Sequence, residues 1–277
     1  MSTPSKTYKT VLIEREDGVT WVILIRPEKR NAMNPTMHYE MIEVLAELEN
    51  DPETKVLVLT GAGASFCAGM DLREYFRDNL DNPTEMVRAR RASQEWRWTR
   101  LWTYAKPTIA MVNGHCFGGA FVPLIGCDIA IAADEAVFGL SEVNWGAIPG
   151  GLVSRVLAEA VGLRQSLFYA MTGRPFDGKR AEAIGLVTMS VPLAQLREET
   201  IKLARELAAK PEAALVATKQ AYKLCKTMDF VQAADYLDAK LTATRATDAD
   251  RSFNKGLDKF LDDKSYRPGL GAFSRED

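Results

Sequence analysis

The amino-acid sequence predicts an α/β fold, with an α/β core over residues 1–190 and a helical region over residues 191–277. Three apolar runs have the length of buried strands, and they lie at 55–60, 107–112 and 128–132. The first two lead through Gly-bearing turns into helical patterns, and repeated strand–turn–helix units are typical of an α/β core. Their continuous apolar character predicts strands buried on both faces. After residue 151 helical patterns dominate, and Leu186–Val187 is the only clear extended piece.

The elements of the N-terminal half follow from turn residues and apolar spacing. The segments 11–15 and 21–25 flank Glu16, Asp17 and Gly18, which predicts a β-hairpin. Asn34 and Pro35 open a helix that we expect to reach about residue 48, because Pro is favoured in the first helical turn. We expect three further helices in this half, at 70–76, 84–104 and 118–125.

The region that follows the predicted core contains successive helical patterns at 192–210, 211–225 and 230–246. Exposed faces on such helices would suit contacts between subunits. The sequence shows no internal repeat and no low-complexity tract, so we expect one large domain with a helical appendage.

Composition and charge exclude several classes of function. The 35 basic and 37 acidic side chains leave a formal net charge of −2, which argues against a nucleic-acid or anionic-membrane partner. No apolar run reaches the roughly 18 residues of a membrane span, and the polar N-terminus lacks a signal core. The four cysteines show neither CxxC spacing nor a His partner at metal spacing. We therefore expect a cytoplasmic protein with reduced thiols and no metal site.

Two Gly-bearing turns carry the strongest functional signal, Ala68-Gly-Met-Asp71 and Gly118-Gly-Ala120. Each follows a strand-like run, so it can direct a free backbone N–H into a cleft. Two such N–H groups can hold one negatively charged oxygen, which is the physical requirement of an oxyanion hole. Because Gly-Gly also permits tight packing of a strand against a helix, either turn alone is a weak signal.

The residues around the turns make the signal specific. The most informative segments are 96–120 with its Trp-Arg-Trp motif, 69–76 with Glu-Tyr-Phe, 138–146 with Ser-Glu-Val-Asn-Trp, and 260–270. With them the chain resembles the crotonase (enoyl-CoA hydratase/isomerase) superfamily along essentially its whole length. Within that superfamily it is most similar to the hydroxycinnamoyl-CoA (feruloyl-CoA) hydratase-lyases.

The resemblance implies both a fold and a reaction. The fold would be a crotonase-like spiral core of repeated ββα units, with the helical region building a homotrimer or a hexamer. The reaction would hydrate the double bond of a 4-hydroxycinnamoyl-CoA and then cleave the product to a hydroxybenzaldehyde, such as vanillin, and acetyl-CoA. No metal or redox cofactor is implied, because CoA enters as part of the substrate.

The resemblance also implies roles for individual residues. The backbone N–H groups of Met70 and Gly119 would form the oxyanion hole for a thioester enolate. Glu142 would be the general acid and base, since burial in an apolar cleft raises the pKa of a carboxyl toward the working pH. Tyr75 would bind the phenolic hydroxyl of the substrate.

Two positions depart from the pattern of the resembled enzymes. Hydratases with paired carboxylates carry a second Glu after the Gly-Gly turn, but Val122 stands there, so Glu142 would work largely alone. A tyrosine that lies near the substrate ring in the resembled enzymes, supplied by a neighbouring subunit, corresponds to Asp238. These departures leave open the preferred ring substituents and whether cleavage follows hydration.

Other predicted contacts are less specific. The helical spacing of Trp96, Trp98 and Trp102 fits core packing as well as an aryl pocket, and His115 is interpreted as a packing or hydrogen-bonded histidine. The remaining substrate-binding residues that the resemblance implies are Arg26, Lys29 and Ala32 in a loop, Ala68 and Asp71 in the first turn, and Phe260 and Lys264 near the C-terminus.

Three alternatives remain open at this point. An aliphatic enoyl-CoA hydratase or isomerase would share most of these residues. A dinucleotide-binding oxidoreductase is suggested by Gly61-Ala-Gly63 after a strand, but Phe66 stands where a third Gly is required. A non-catalytic CoA-binding protein would have no need of Glu142 together with both turns.

Overall fold

The computed structural model describes residues 7–265, so the end of the predicted 260–270 segment lies outside the described residues. The strands found in this part of the chain are β1 (Val11–Glu16), β2 (Val19–Leu24), β3 (Val56–Gly61), β4 (Ser65–Cys67), β5 (Thr108–Val112), β6 (His115–Phe117), β7 (Ile129–Ala133), β8 (Val137–Gly139), β9 (Phe176–Asp177) and β10 (Met189–Val191). The helices are α1 (Pro35–Asn50), α2 (Pro83–Gln94), α3 (Leu101–Thr103), α4 (Phe121–Gly126), α5 (Val153–Val161), α6 (Leu163–Thr172), α7 (Gly178–Ala183), α8 (Leu193–Ala208), α9 (Glu212–Cys225), α10 (Phe230–Thr247) and α11 (Ser252–Leu261).

The larger sheet confirms the strands that the apolar runs predict. It has the order β1-β2-β3-β5-β7-β10, with β1 and β2 forming the predicted antiparallel hairpin. All other neighbours in this sheet are parallel. Residues 56–59 of β3 are fully buried, as expected for a strand covered on both faces.

A smaller sheet, which the sequence analysis did not predict, positions three turns. Its order is β4-β6-β8-β9, and β4, β6 and β8 run parallel. The carboxyl ends of parallel strands meet at one edge of a sheet, where α/β proteins commonly bind ligands. The turns that begin at Ala68, Gly118 and Leu140 directly follow these three strands, so the sheet brings them to one edge.

Helix α1 shows how the sequence fixes the packing of the core. The Asn34 side chain accepts a hydrogen bond from the N–H of Met37 at 2.9 Å, and Pro35 occupies the first turn, as predicted. The helix buries Met37, Met41 and Leu45 completely. Burying each such side chain contributes about 1.5–3 kcal/mol, so this face holds α1 onto the sheet.

The predicted helix at 84–104 is helical but not uniformly so. Helix α2 ends at Gln94, a π-helical turn follows over Glu95–Arg100, and α3 completes the segment. The predicted short helix at 70–76 is also a π-helical turn, Leu72–Phe76, which the Asp71 carboxylate caps. A π-turn widens the helix locally, and such turns frequently occur at functional sites.

The C-terminal part contains the three predicted helices as α8, α9 and α10, and α11 in addition. The prediction of an extended piece at Leu186–Val187 was wrong, because these buried residues form a bend and the strand begins at Met189. Since β10 pairs with β7, the larger sheet continues across the predicted boundary at residue 190. Lys219 and Lys223 of α9 pair with Asp128 at 2.8 and 2.6 Å, which ties this helix to the core.

Candidate active site

The two Gly-bearing turns lie against each other in space, although about fifty residues separate them in the chain. A Cβ added to Gly69 would lie 3.2 Å from the Gly119 nitrogen and 2.7 Å from the Phe117 carbonyl oxygen. A Cβ added to Gly119 would lie 3.1 Å from Met70 Cγ. Gly69 also has a φ of +91°, which side-chain-bearing residues rarely adopt. Glycine at these positions therefore permits the approach of the two turns.

The N–H groups of Met70 and Gly119 are available to a ligand. Gly119 lies in the 3₁₀ turn Gly118–Ala120, and the first N–H groups of such a turn have no partner within it. Met70 forms a parallel bridge with Met33, but its hydrogen bonds use the carbonyl of Gly69 and the N–H of Asp71. Among residues 7–265, no backbone hydrogen bond of a turn or loop uses either N–H. The two donors thus meet the chemical requirement of an oxyanion hole.

The loop of residues 26–33 braces the first turn. Besides the bridge at Met33, the carbonyl of Arg30 accepts a hydrogen bond from the N–H of Ala68 at 2.9 Å. The Arg26 guanidinium lies 3.0 Å from the Asp71 carboxylate and 2.5 Å from the Glu74 carboxylate, and it also donates to the carbonyl of Ala32. Arg26 is buried, so its charge is already used inside the protein.

Asp71 is a structural carboxylate. It accepts hydrogen bonds from the N–H groups of Arg73 and Glu74 at 3.1 and 2.9 Å, which caps the π-helical turn. Burial alone would raise the pKa of this carboxyl, but the N–H of Glu74 and the guanidinium of Arg26 outweigh burial and hold the pKa below its ordinary value. The resemblance places Arg26 and Asp71 at the substrate, whereas their contacts in this structure are internal.

Glu142 faces the second turn. It begins the 3₁₀ turn Glu142–Trp145 after β8, and its Oε1 lies 2.7 Å from where a Cβ of Gly118 would stand. Its Oε2 is buried and has no hydrogen-bond partner in the described part of the chain. Burial raises the pKa of the Glu142 carboxyl, against the effect of its own backbone N–H. A half-buried carboxyl with a raised pKa suits proton transfer near neutral pH.

These groups line a single cavity of about 990 Å³, at the upper end of the usual range for small-molecule sites. Met70, Gly119, Glu142, Tyr75 and Ala68 from the sequence prediction all line it. The other lining residues are Gly69, Leu72, Phe76, Met86, Arg90, Gln94, Arg97, Phe117, Gly118, Ser141, Trp145, Gly146, Ala147, Ile148, Gly150 and Gly151. Glu142 is the one carboxylate among these lining residues. The sequence predicts this, because Val122 stands where hydratases with paired carboxylates carry a second Glu.

Tyr75 lies in the π-helical turn and is 5% exposed. Its ring makes edge contacts with His38 and Phe76, at centroid distances of 5.4 and 4.9 Å. Burial raises the pKa of the Tyr75 hydroxyl, and the positive charges of Arg97 and Arg90 oppose this effect. The hydroxyl therefore stays protonated at neutral pH and can donate a hydrogen bond to a substrate oxygen.

The other predicted substrate contacts do not line this cavity. Val122 lies in α4, is 1% exposed and belongs to the hydrophobic core. Asp238 is exposed on α10 and lines a separate groove between α9, α10 and α11. Phe260 and Lys264 lie in and just after α11, and Lys29 is exposed on the bracing loop. A single copy of the chain therefore places none of these residues at the wall of the cavity that holds Glu142.

The contacts of the tryptophans and of His115 show whether these side chains pack in the core or line the cavity. Trp96 is fully buried and donates a hydrogen bond to His38 Nδ1 at 2.8 Å. Trp98 and Trp102 stack at 4.5 Å, so all three tryptophans pack rather than line the cavity. His115 lies 3.3 Å from the Ser65 hydroxyl, which confirms a hydrogen-bonded histidine.

Sequence reasoning missed Arg97 and Trp145, which line the cavity. Arg97 stands inside the Trp-Arg-Trp motif, but the motif alone does not reveal which side of the helix faces a ligand. Within residues 7–265 no cluster of His, Cys, Asp and Glu could hold a metal ion. No helix in the same range is long and apolar enough to cross a membrane.

Comparison with known proteins adds independent findings. Residues 14–267 match the enoyl-CoA hydratase/isomerase family. The chain is 56% identical over 277 residues to a hydroxycinnamoyl-CoA hydratase-lyase of Pseudomonas fluorescens, covering 99% of this chain and 100% of the relative. The structure resembles an enoyl-CoA hydratase from Bacillus anthracis, with a TM-score of 0.83, 26% identity, and coverage of 92% and 97% of the two chains. It resembles another from Polaromonas sp. JS666 equally well, with a TM-score of 0.83, 28% identity, and coverage of 91% and 96%.

Proposed function

The chain belongs to the enoyl-CoA hydratase/isomerase family, and from that premise we propose that it is a hydroxycinnamoyl-CoA hydratase-lyase. Its substrate would be a 4-hydroxycinnamoyl-CoA, such as feruloyl-, coumaroyl- or caffeoyl-CoA. Its products would be the corresponding hydroxybenzaldehyde, vanillin in the feruloyl case, and acetyl-CoA. The observation that carries the proposal is the lone carboxylate of Glu142, half-buried in one cavity with the N–H donors of Met70 and Gly119.

The first half of the reaction adds water to the double bond. Glu142 takes a proton from water, whose oxygen forms a bond to Cβ of the enoyl thioester. The electron pair of the double bond moves to the thioester oxygen, where the N–H groups of Met70 and Gly119 stabilise the enolate. The protonated Glu142 then returns its proton to Cα. One carboxyl suffices for this half, because it acts first as base and then as acid.

The second half breaks a carbon–carbon bond in the same site. Glu142 removes the proton from the β-hydroxyl group, the bond between Cα and Cβ breaks, and the aldehyde leaves. The electron pair remains on the acetyl-CoA enolate, which rests on Met70 and Gly119 until Glu142 protonates it at Cα. Both halves pass through a thioester enolate, so one oxyanion hole serves both. The Tyr75 hydroxyl would hold the ring oxygen at the far end of the cavity.

The buried Val122 supplies no carboxylate after the Gly-Gly turn, so in this proposal Glu142 performs the proton transfers of both halves. Asp238 reaches a ring only if α10 of a neighbouring copy approaches the cavity. We propose a homotrimer or hexamer for this reason, with Asp238, Phe260 and Lys264 acting across subunits. The reaction needs no metal or redox cofactor, and we place the enzyme in the cytoplasm.

Product analysis with feruloyl-CoA tests the proposal. The purified protein is incubated with feruloyl-CoA, and vanillin and acetyl-CoA are quantified by chromatography, with crotonyl-CoA and cinnamoyl-CoA as parallel substrates. Equal amounts of vanillin and acetyl-CoA are expected. A β-hydroxy adduct without aldehyde would reduce the function to hydration alone. Turnover of crotonyl-CoA without any turnover of feruloyl-CoA would assign the chain to aliphatic enoyl-CoA substrates instead.

A further inference from the structure

Arg97 is a buried cation at the wall of the cavity, and the proposed reaction has not assigned it a role. Its side chain is 4% exposed and lines the cavity next to the second turn. Its Nε donates a hydrogen bond to the carbonyl of Ser93 at 3.0 Å, and its Nη1 donates one to the carbonyl of Gly119 at 2.9 Å. The planar guanidinium therefore links the π-helical turn to the residue that supplies an oxyanion-hole donor.

The charge of Arg97 is not neutralised by a carboxylate. None of the ion pairs formed by residues 7–265 involves Arg97. A buried charge that is bound only to carbonyl oxygens costs stability, because it has lost the solvation that water provides. Burial lowers the pKa of Arg97 to about 10, so the group is still cationic at neutral pH. Such a cost suggests that the charge serves another purpose.

The positive charge of Arg97 reaches both turns of the oxyanion hole. Burial raises the pKa of the Cys67 thiol, which directly precedes the Met70 turn, and the pKa of the Tyr75 hydroxyl, and the charge of Arg97 opposes this rise in both groups. A Cβ on Gly119 would lie 3.3 Å from Arg97 Nη1 and 3.1 Å from Met70 Cγ. The guanidinium and the Met70 side chain thus both lie against Gly119.

We propose that Arg97 is a positioning residue of the oxyanion hole, which holds the backbone of Gly119 and places a buried positive charge beside the second turn. The inference rests on the proposed function in one respect, that an acyl-CoA thioester oxygen lies at Met70 and Gly119. Glycine has no side chain to restrain its φ and ψ. The hydrogen bond at the Gly119 carbonyl holds the peptide that follows the donor, and so it limits rotation about Gly119. An arginine suits this task because its rigid fork reaches the carbonyl of Ser93 in α2 and that of Gly119 in the second turn at the same time. A preorganised charge of this kind stabilises an enolate more than a neutral thioester.

Two substitutions separate charge from geometry. Arg97→Met removes the charge and both hydrogen bonds, whereas Arg97→Lys keeps the charge but loses the fork. Arg91→Met is the matched control, since it removes an exposed arginine from the neighbouring helical segment. The probe is 4-dimethylaminocinnamoyl-CoA, whose absorption moves to longer wavelength when its thioester carbonyl is polarised. Because it lacks a phenolic hydroxyl, it reports on the oxyanion hole and not on Tyr75.

The unaltered protein and Arg91→Met should shift the bound probe to the same longer wavelength. Arg97→Met should reduce that shift and lower kcat for feruloyl-CoA by roughly tenfold or more, less than the loss of a direct oxyanion-hole donor. Its KM should change by less than about threefold, and Arg97→Lys should give an intermediate shift. If Arg97→Met does not fold, Arg97→Lys alone carries the test through its reduced shift.

Three results would overturn the inference in distinguishable ways. A full spectral shift in a folded Arg97 variant would refute the role of Arg97 and leave the proposed function intact. No shift in the unaltered protein, despite binding of the probe, would refute the oxyanion hole and the proposed function with it. A lower melting temperature with an unchanged shift would assign Arg97 a purely structural role, which also contradicts the proposal.

Discussion

The substitution Gly118→Ala tests whether Glu142 is held against the second turn. Gly118 has a φ of +50°, and an added Cβ would lie 2.7 Å from Glu142 Oε1, whereas ordinary contacts begin at 3.4 Å. The carboxylate must therefore retreat by about 0.7 Å, the difference between these distances. Since a misplacement of about 1 Å can cost 10²-fold in rate, we expect kcat to fall by roughly 10- to 100-fold.

The same substitution has a separate cost in stability. A side chain in the left-handed region costs roughly 1–2 kcal/mol, which lowers the melting temperature by roughly 2–8 °C in a domain of this size. Gly185→Ala is the matched control, because Gly185 has a φ of +77° and its added Cβ would meet only the Ala160 carbonyl oxygen at 4.0 Å. Both variants should lose similar stability, and only Gly118→Ala should lose activity.

The assay is steady-state release of aldehyde from feruloyl-CoA, followed by its absorbance, together with thermal unfolding by circular dichroism. The reasoning is refuted if folded Gly118→Ala retains the kcat of the unaltered protein. Equal losses of activity in both glycine variants would also contradict it, since they would trace the effect to backbone strain alone.

Three other perturbations follow from the site. Glu142→Gln should lower turnover by about 10²-fold or more, while acetyl-CoA still binds by calorimetry; near-normal turnover would remove Glu142 from the mechanism. Because the folded-state pKa of Glu142 is raised, its ionisation costs stability above that pKa. Glu142→Gln should therefore be more stable than the unaltered protein in urea at neutral pH, and the difference should vanish below the unfolded-state pKa; a constant difference would contradict the raised pKa. Arg26→Met breaks a buried ion pair and should lower the free energy of unfolding, measured in urea, by about 3–5 kcal/mol. Lys29→Met removes an exposed charge and should change this free energy little. A folded Arg26→Met variant of unchanged stability that only raises KM would instead support a contact with CoA. Asp238→Tyr should raise kcat/KM for 4-coumaroyl-CoA relative to cinnamoyl-CoA, and an unchanged ratio would count against Asp238 facing the ring.

The parts of the fold that the sequence could predict are those with strong local patterns. The apolar run at 55–60 and the Asn34–Pro35 helix start are both found, because burial and capping act within a few residues. The smaller sheet was missed because its strands have only two or three residues, too few to show an alternating pattern. The bend at Leu186–Val187 shows that buried apolar residues alone do not define a strand.

The site was predictable where its chemistry lies in short motifs. Met70, Gly119 and Glu142 stand at the ends of three parallel strands, and all three line the cavity. Arg97 could not be predicted, since its role depends on which face of a π-helical turn meets the second turn. Asp238 was predicted from the resemblance, but in one copy of the chain it lies in a separate groove and not in the cavity.

The most direct test of the account is to follow oxygen from water into the products. Feruloyl-CoA is incubated with the protein in ¹⁸O-labelled water, and the aldehyde is reduced at once to its alcohol so that exchange with solvent is prevented. Hydration at Cβ followed by cleavage predicts one ¹⁸O atom in the trapped vanillyl alcohol and none in acetyl-CoA. An unlabelled alcohol, or label retained only in a β-hydroxyacyl-CoA, would contradict the proposed sequence of steps.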